Sequence, residues 1–145
     1  MELKDRFFQK ILFIDTAPLI YFIEGHSDYN EKLSELFKSN ENGDIYFQTS
    51  TLTLLEVLVQ PLRHQKLELA RQYENILTTS SNLEIFDIDI QISIQAAQLR
   101  ADYNIKTPDS IQIATGIDKN ADFFITNDKK LKNIDKIKVL TLEEI

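Results

Sequence analysis

The chain has 145 residues, a formal charge of −7, 43 % apolar and 27 % charged residues, and no cysteine. That size suits one domain with a sizeable core. The missing cysteines exclude disulfides and thiolate metal sites, and the acidic balance argues against a generic binder of phosphate backbones. The N-terminal stretch Met1–Lys10 is too charged for a signal-peptide core, and no apolar run approaches the roughly 20 residues of a membrane span. A soluble, cytoplasmic protein forming one domain over residues 1–145 is the expectation.

In chain order, Ile11–Ile14 is a short apolar run that predicts a buried strand. Asp15-Thr16 follows, and Pro18 opens a helix that runs to about Glu24 and stops at Gly25. Tyr29, Leu33, Leu36 and Phe37 recur at helical spacing within 27–39, and Asn42-Gly43 marks a turn. Residues 45–48 predict a second strand. Ser50 or Thr51 caps a helix from Leu52 to about Gln60, which Pro61 is expected to interrupt before a longer helix over about 63–77. Residues 83–88 predict a third strand and 90–103 another helix. Thr107-Pro108-Asp109 is a helix start, with Thr107 as cap and Pro108 first in a helix that ends near Lys119. A fourth strand over 121–126, one helical turn over 128–132 and a final strand over 138–140 complete the chain.

Strands alternating with helices predict an α/β fold with a mainly parallel sheet covered on both faces. In such sheets ligands collect beyond the carboxyl ends of the strands, where strand order reverses. Four carboxylates point there: Asp15 after the first strand, Glu56 in the apolar series T-L-T-L-L-E56-V-L-V, Asp109 in K-T-P-D109-S-I-Q, and Asp128 in F-F-I-T-N-D128. Ionised carboxylates beside so much apolar sequence are costly unless paired or bound to metal, and several together repel. A hard divalent cation, Mg²⁺ or Mn²⁺, relieves both costs. Taken singly, each aspartate also fits a helix start. Glu56 also fits a solvated helix stripe with Thr49, Thr53 and Gln60.

The segments I-D-T-A-P-L-I-Y-F-I-E (14–24), T-L-T-L-L-E (51–56), K-T-P-D-S-I-Q-I-A-T (106–115) and F-F-I-T-N-D-K-K-L (123–131) together resemble the PIN-domain ribonucleases, most of all VapC-like toxins of toxin–antitoxin pairs. The resemblance implies a three-layer α/β/α sandwich around a five-stranded parallel sheet. It implies Asp15, Glu56, Asp109 and Asp128 as catalytic and metal-binding acids, with Thr126 and Asn127 beside the last of them. It also implies an antitoxin partner and a homodimer. Where many members carry Asn or Ser two residues after the first Asp, this chain has Ala17.

Two basic segments are candidates for holding RNA phosphates: Arg63, His64, Lys66 and Arg71, and Lys129, Lys130 and Lys132, with Arg63 and Lys129 foremost. Either also fits a solvated face. His26 and His64 lack ligand spacing, and no Gly-rich phosphate loop exists. The expected activity is Mg²⁺- or Mn²⁺-dependent hydrolysis of RNA phosphodiesters. The alternative is the same fold idling as an RNA-binding or protein-interaction module.

Overall fold

The computed structural model describes residues 2–145. Five strands, β1 (Ile11–Ile14), β2 (Tyr46–Ser50), β3 (Leu83–Phe86), β4 (Phe123–Thr126) and β5 (Lys138–Thr141), form one sheet in the order β3-β2-β1-β4-β5. Every pairing is parallel. The chain therefore builds outward from β1 through β2 to β3, then returns to the other side of β1 for β4 and β5. Strand order reverses between β1 and β4, in register Leu12↔Phe123 to Ile14↔Ile125. A crevice opens beyond the carboxyl ends of those two strands.

The period-2 alternation of β1 sorts the core into two layers. Leu12 and Ile14 face one side, where they pack with Phe7, Leu19, Leu33, Leu36, Val57, Tyr73 and Leu77. Those residues come from α1 (Leu3–Arg6) and its C-cap, α2 (Thr16–Glu24), α3 (Asn30–Glu41), α4 (Thr51–Arg63) and α5 (Leu67–Thr79). Phe13 faces the other side with Phe124 and Val139, against Ile92, Ala96 and Leu99 of α6 (Ile90–Tyr103) and Ile113 and Ala114 of α7 (Thr107–Asp118). A 3-10 turn, Lys129–Asn133, follows β4. The expected three-layer α/β/α sandwich is the observed one. No helix among the described residues is long and apolar enough to cross a membrane.

One element was not expected, and three local expectations change. Helix α1 lies in a stretch too short and charged for periodicity to mark. Helix α3 runs Asn30–Glu41, three residues later than the pattern suggested. Pro61 does not interrupt α4, which continues to Arg63. A proline costs the helix the hydrogen bond its N–H would make one turn back. Here it falls in the last turn, with its ring buried on the same stripe as Val57, and Lys66 N donates to its carbonyl at 2.8 Å. Finally, Thr107 is not the cap of α7. Lys106 holds the N-cap position, and the Thr107 hydroxyl accepts from Arg100 Nη1 at 2.9 Å.

Gly116 lets α7 approach β1 closely. A Cβ there would sit 3.3 Å from Ile137 Cδ1 and 3.5 Å from Phe13 Cβ. Seating α7 on the sheet in this way fixes the height at which Asp109, two turns earlier, meets the crevice.

Candidate active site

Asp15 sits at the switch point and is held there from three directions. Its backbone N–H extends the ladder to β4, donating to Ile125 O at 3.0 Å. Thr16 N donates to its Oδ1 at 2.9 Å, and Thr126 Oγ1 donates to its Oδ2 at 2.8 Å. Thr126 also accepts from Asp128 N at 3.1 Å, so one hydroxyl couples the first and last of the four acids. Asp128 caps the 3-10 turn, its Oδ1 accepting from Lys130 N at 2.9 Å. Asp109 lies in the first turn of α7. Glu56 reaches the crevice from α4, where its Oε1 accepts from Thr16 Oγ1 at 2.7 Å. Asp15 and Asp128 are both helix-start caps, and those starts converge on this edge.

Under the acids runs a buried polar layer that sequence reasoning missed. Gln112, one turn after Asp109, is 1 % exposed. It accepts from Ser50 Oγ at 2.5 Å and donates to Thr53 Oγ1 at 2.6 Å. Its second amide hydrogen faces Thr16 Oγ1 at 3.4 Å. Thr53 lies 2.9 Å from Thr49 Oγ1, which donates to Ile14 O at 2.9 Å. Of the stripe Thr49, Thr53, Glu56 and Gln60, Thr49 lies in β2 rather than on the helix and is buried, as is Thr53; Glu56 is half-buried and Gln60 exposed. The usable signal was a polar residue three positions before an acid on α4 and three after one on α7. Spacing of three places both on one helical face.

The electrostatics set these carboxylates apart. The Asp15 carboxyl is pushed up to about 6. Burial is the largest cause; the hydrogen bonds from Thr126 and Thr16 oppose it, and the charges of Asp109 and Glu56 add to it. Asp109 is raised too, by burial first, then by Asp128 and Glu56, against a lowering by Lys106. Asp15 thus feels Asp109 and Glu56, Asp109 feels Asp128 and Glu56, and none of the four is ion-paired among the described residues. No three His, Asp or Glu side chains among those residues lie close enough to ligate one ion directly. The donor set fits an ion that takes one or two carboxylates and keeps its waters, the habit of Mg²⁺.

A family model for the PIN domain matches residues 12–137. The chain belongs to the PIN-domain family. Among solved structures, it is similar to VapBC2 from Rickettsia felis bound to a promoter DNA fragment (TM-score 0.72, 21 % identity, 90 % of this chain and 98 % of that one). It is also similar to DNA-bound VapBC from Salmonella typhimurium (0.69, 20 %, 92 % and 99 %). A third is VapC20 from Mycobacterium tuberculosis, described as a sarcin–ricin-loop-cleaving toxin (0.64, 16 %, 78 % and 86 %). At these identities the likeness is one of fold. No curated protein sequence matches the chain.

The remaining candidates of this PIN domain divide. Thr126 is fully buried and acts on Asp15, presenting nothing to a ligand in the crevice. Asn127 Nδ2 donates to Tyr21 Oη at 3.2 Å, which ties the β4 end to α2. Arg63 is exposed at the C-terminal end of α4, seven residues past Glu56, hence on its face and about 10 Å along the axis. Lys129 is exposed and paired with Glu143 at 3.3 Å.

Proposed function

We propose that this PIN domain is a metal-dependent endoribonuclease and the toxin of a toxin–antitoxin pair. The observation that carries the reading is the set of four carboxylates without ion-pair partners among the described residues at the strand-order reversal, with Asp15 and Asp109 raised by burial and by their acidic neighbours. Family membership and fold likeness to VapC proteins support it, as does the described RNA cleavage by one of those relatives.

Asp15 and Asp109 would hold a Mg²⁺ or Mn²⁺ ion most directly, with Glu56 and Asp128 on its waters or on a second ion. Such ions supply an activated water and charge stabilisation at the phosphodiester. The chain's own contribution is rigidity. Thr16 orients two acids at once, Asp15 through its N–H and Glu56 through its hydroxyl. Thr126 fixes the second Asp15 oxygen, and the Gln112 layer holds Thr16 and Thr53. Asp15 and Glu56 are thereby set before substrate arrives, the preorganisation that electrostatic catalysis requires.

The test is cleavage of structured RNA with Mg²⁺ or Mn²⁺, with and without EDTA, by the wild-type chain and Asp15→Asn. Cleavage that EDTA and the substitution both abolish is expected. Full activity in Asp15→Asn contradicts the assignment. The separation of the acids, no three of which meet, favours one second reading: a PIN fold that binds RNA or protein without turnover. Binding without cleavage of any RNA under either metal selects it.

An antitoxin partner and a homodimer belong to the same proposal. Co-expression with the product of an adjoining reading frame should yield a complex that cannot cleave. Sedimentation should give twice the 16.9 kDa chain mass.

A further inference from the structure

Beside the acids lies a pocket of about 260 Å³ between the α6–α7 connection and the 3-10 turn. The α6–α7 side carries Asn104, Lys106 and Asp109; the 3-10 side carries Asp128, Lys130 and Asn133. Two features mark it as built. Its lysines are uncommitted: among the described residues, neither ammonium group makes a hydrogen bond or ion pair. Nearby lysines are engaged, Lys129 with Glu143 at 3.3 Å and Lys132 with Glu144 at 2.7 Å.

The wall that carries Lys106 is also fixed. Arg100 Nε donates to Ile105 O and its Nη1 to Thr107 Oγ1, both at 2.9 Å. Asn104 turns the chain in the left-handed region at φ 53°, and Tyr103 Oη is bonded to Asp135 beyond the 3-10 turn. A loop between two helices is thus held in one shape, with a lysine at its end. Lys106 is close enough to Asp109 for its charge to be felt there.

Resting on the nuclease reading above, we infer that this pocket binds the nucleotide adjoining the scissile phosphate, with Lys106 and Lys130 on its phosphate and Asn104 and Asn133 on its ribose or base edge. A chain of net charge −7 gains no RNA affinity from its overall field, so local cations must supply it. Paired lysines suit a non-bridging phosphate oxygen. Two amide side chains offer both donors and acceptors, which a ribose hydroxyl or a base edge can use. The volume accommodates one residue of a polymer rather than a drug-sized ligand. Phosphate binding of this kind positions the strand without reading its sequence.

The experiment compares wild type, the double variant Lys106→Ala/Lys130→Ala, and Lys38→Ala. Lys38 is a control for lost positive charge away from the pocket, one charge against two, in the last turn of α3 near the β3 edge. Affinity for a fluorescent single-stranded RNA is read by anisotropy in Mg²⁺ across a salt series, on an Asp15→Asn background so that the probe survives. The double variant should bind roughly ten-fold more weakly, with a shallower salt slope, by about 0.7 for each phosphate no longer neutralised. Lys38→Ala should stay within about two-fold. Lys106→Arg/Lys130→Arg should restore most of the affinity, which separates a missing cation from a damaged fold.

In cleavage by the otherwise wild-type enzyme, the alanine pair should raise KM with little change in kcat. Unchanged RNA affinity and salt slope in the double variant overturn the inference, whatever the variants do to a protein partner. If wild type cleaves RNA in that case, the nuclease reading stands without the pocket. If no RNA binds at all, both fall.

Discussion

Two groups of carboxylates beyond the carboxyl ends of the strands are treated in opposite ways. At the end of β5, Glu144 accepts from Lys132 Nζ at 2.7 Å and from Thr141 through both N–H and hydroxyl, at 3.0 and 2.9 Å. Its carboxyl is held down at about 2, chiefly by Lys132 and then by Thr141. Arg6 and Lys32 close the same corner on main-chain carbonyls of residues 142–144. At the end of β1, Asp15 is pushed the other way, to about 6, by burial and by like charges. The β5 corner is a clasp in which each charge has its complement. The β1 corner is a charge cluster with no ion pair among the described residues, and the proposed cation is what would complement it.

The largest effects should come from the uncompensated corner. Asp15→Asn should abolish metal-dependent cleavage and at the same time stabilise the metal-free protein. The sign follows from linkage. The native carboxyl binds its proton more tightly than the unfolded one, whose value is near 3.8, so its contribution is fully present below about pH 4 and lost as pH rises through about 6. Removing the charge should recover roughly 2–3 kcal/mol at pH 7.5. Urea denaturation at pH 4 and 7.5 measures this: wild type should weaken between the two and Asp15→Asn should not. A variant less stable than wild type at pH 7.5 would break the contrast between the corners.

Next in size is the layer beneath. Gln112→Leu removes the acceptor of the Ser50 hydroxyl and leaves that buried donor unsatisfied, while Thr53 keeps its contact with Thr49. It should cost roughly 1–3 kcal/mol in the same denaturation experiment. Cleavage should fall with it, since Thr16 loses support. Thr126→Val should act more locally. Losing a donor to the ionised form moves the Asp15 carboxyl further up, and the acid limb of the cleavage profile should shift toward higher pH.

The smallest effect belongs to the compensated corner. Glu144→Gln should lower the melting temperature only slightly and leave cleavage unchanged. The sign here is reversed: a depressed carboxyl contributes above its unfolded value and loses that contribution as pH falls toward about 2. The variant should therefore converge with wild type in strong acid. A large loss of activity would show that the two corners are not independent.

Much of this was legible in the sequence, and the misses share a cause. The strands and the order of the acids announce themselves locally, through apolar runs broken by a carboxylate. Helix α7 was visible from Pro108 and α4 from Ser50, which accepts from Leu52 N. The polar layer was not visible, because its partners are distant: Gln112 meets Thr53 across 59 positions and Thr16 across 96. Without that knowledge Thr49 and Thr53 read as surface, since threonine on a helix stripe is more often wet than buried. Pro61 misled for a related reason. Its local cost is real, but tertiary burial and the end of the helix absorb it. Lys129 and Lys130 are equivalent in sequence, and only the position of Glu143 distinguishes the paired from the free one.

Whether the four acids form a cation site is decided most directly by anomalous diffraction from crystals soaked in Mn²⁺, collected for wild type and Asp15→Asn. A strong peak bonded to the Asp15 carboxylate is expected, with Asp109 beside it or bridged by water, and it should be absent in the variant. A wild-type crystal with no peak at the four acids, or with the ion bound equally after Asp15→Asn, would contradict the metal site.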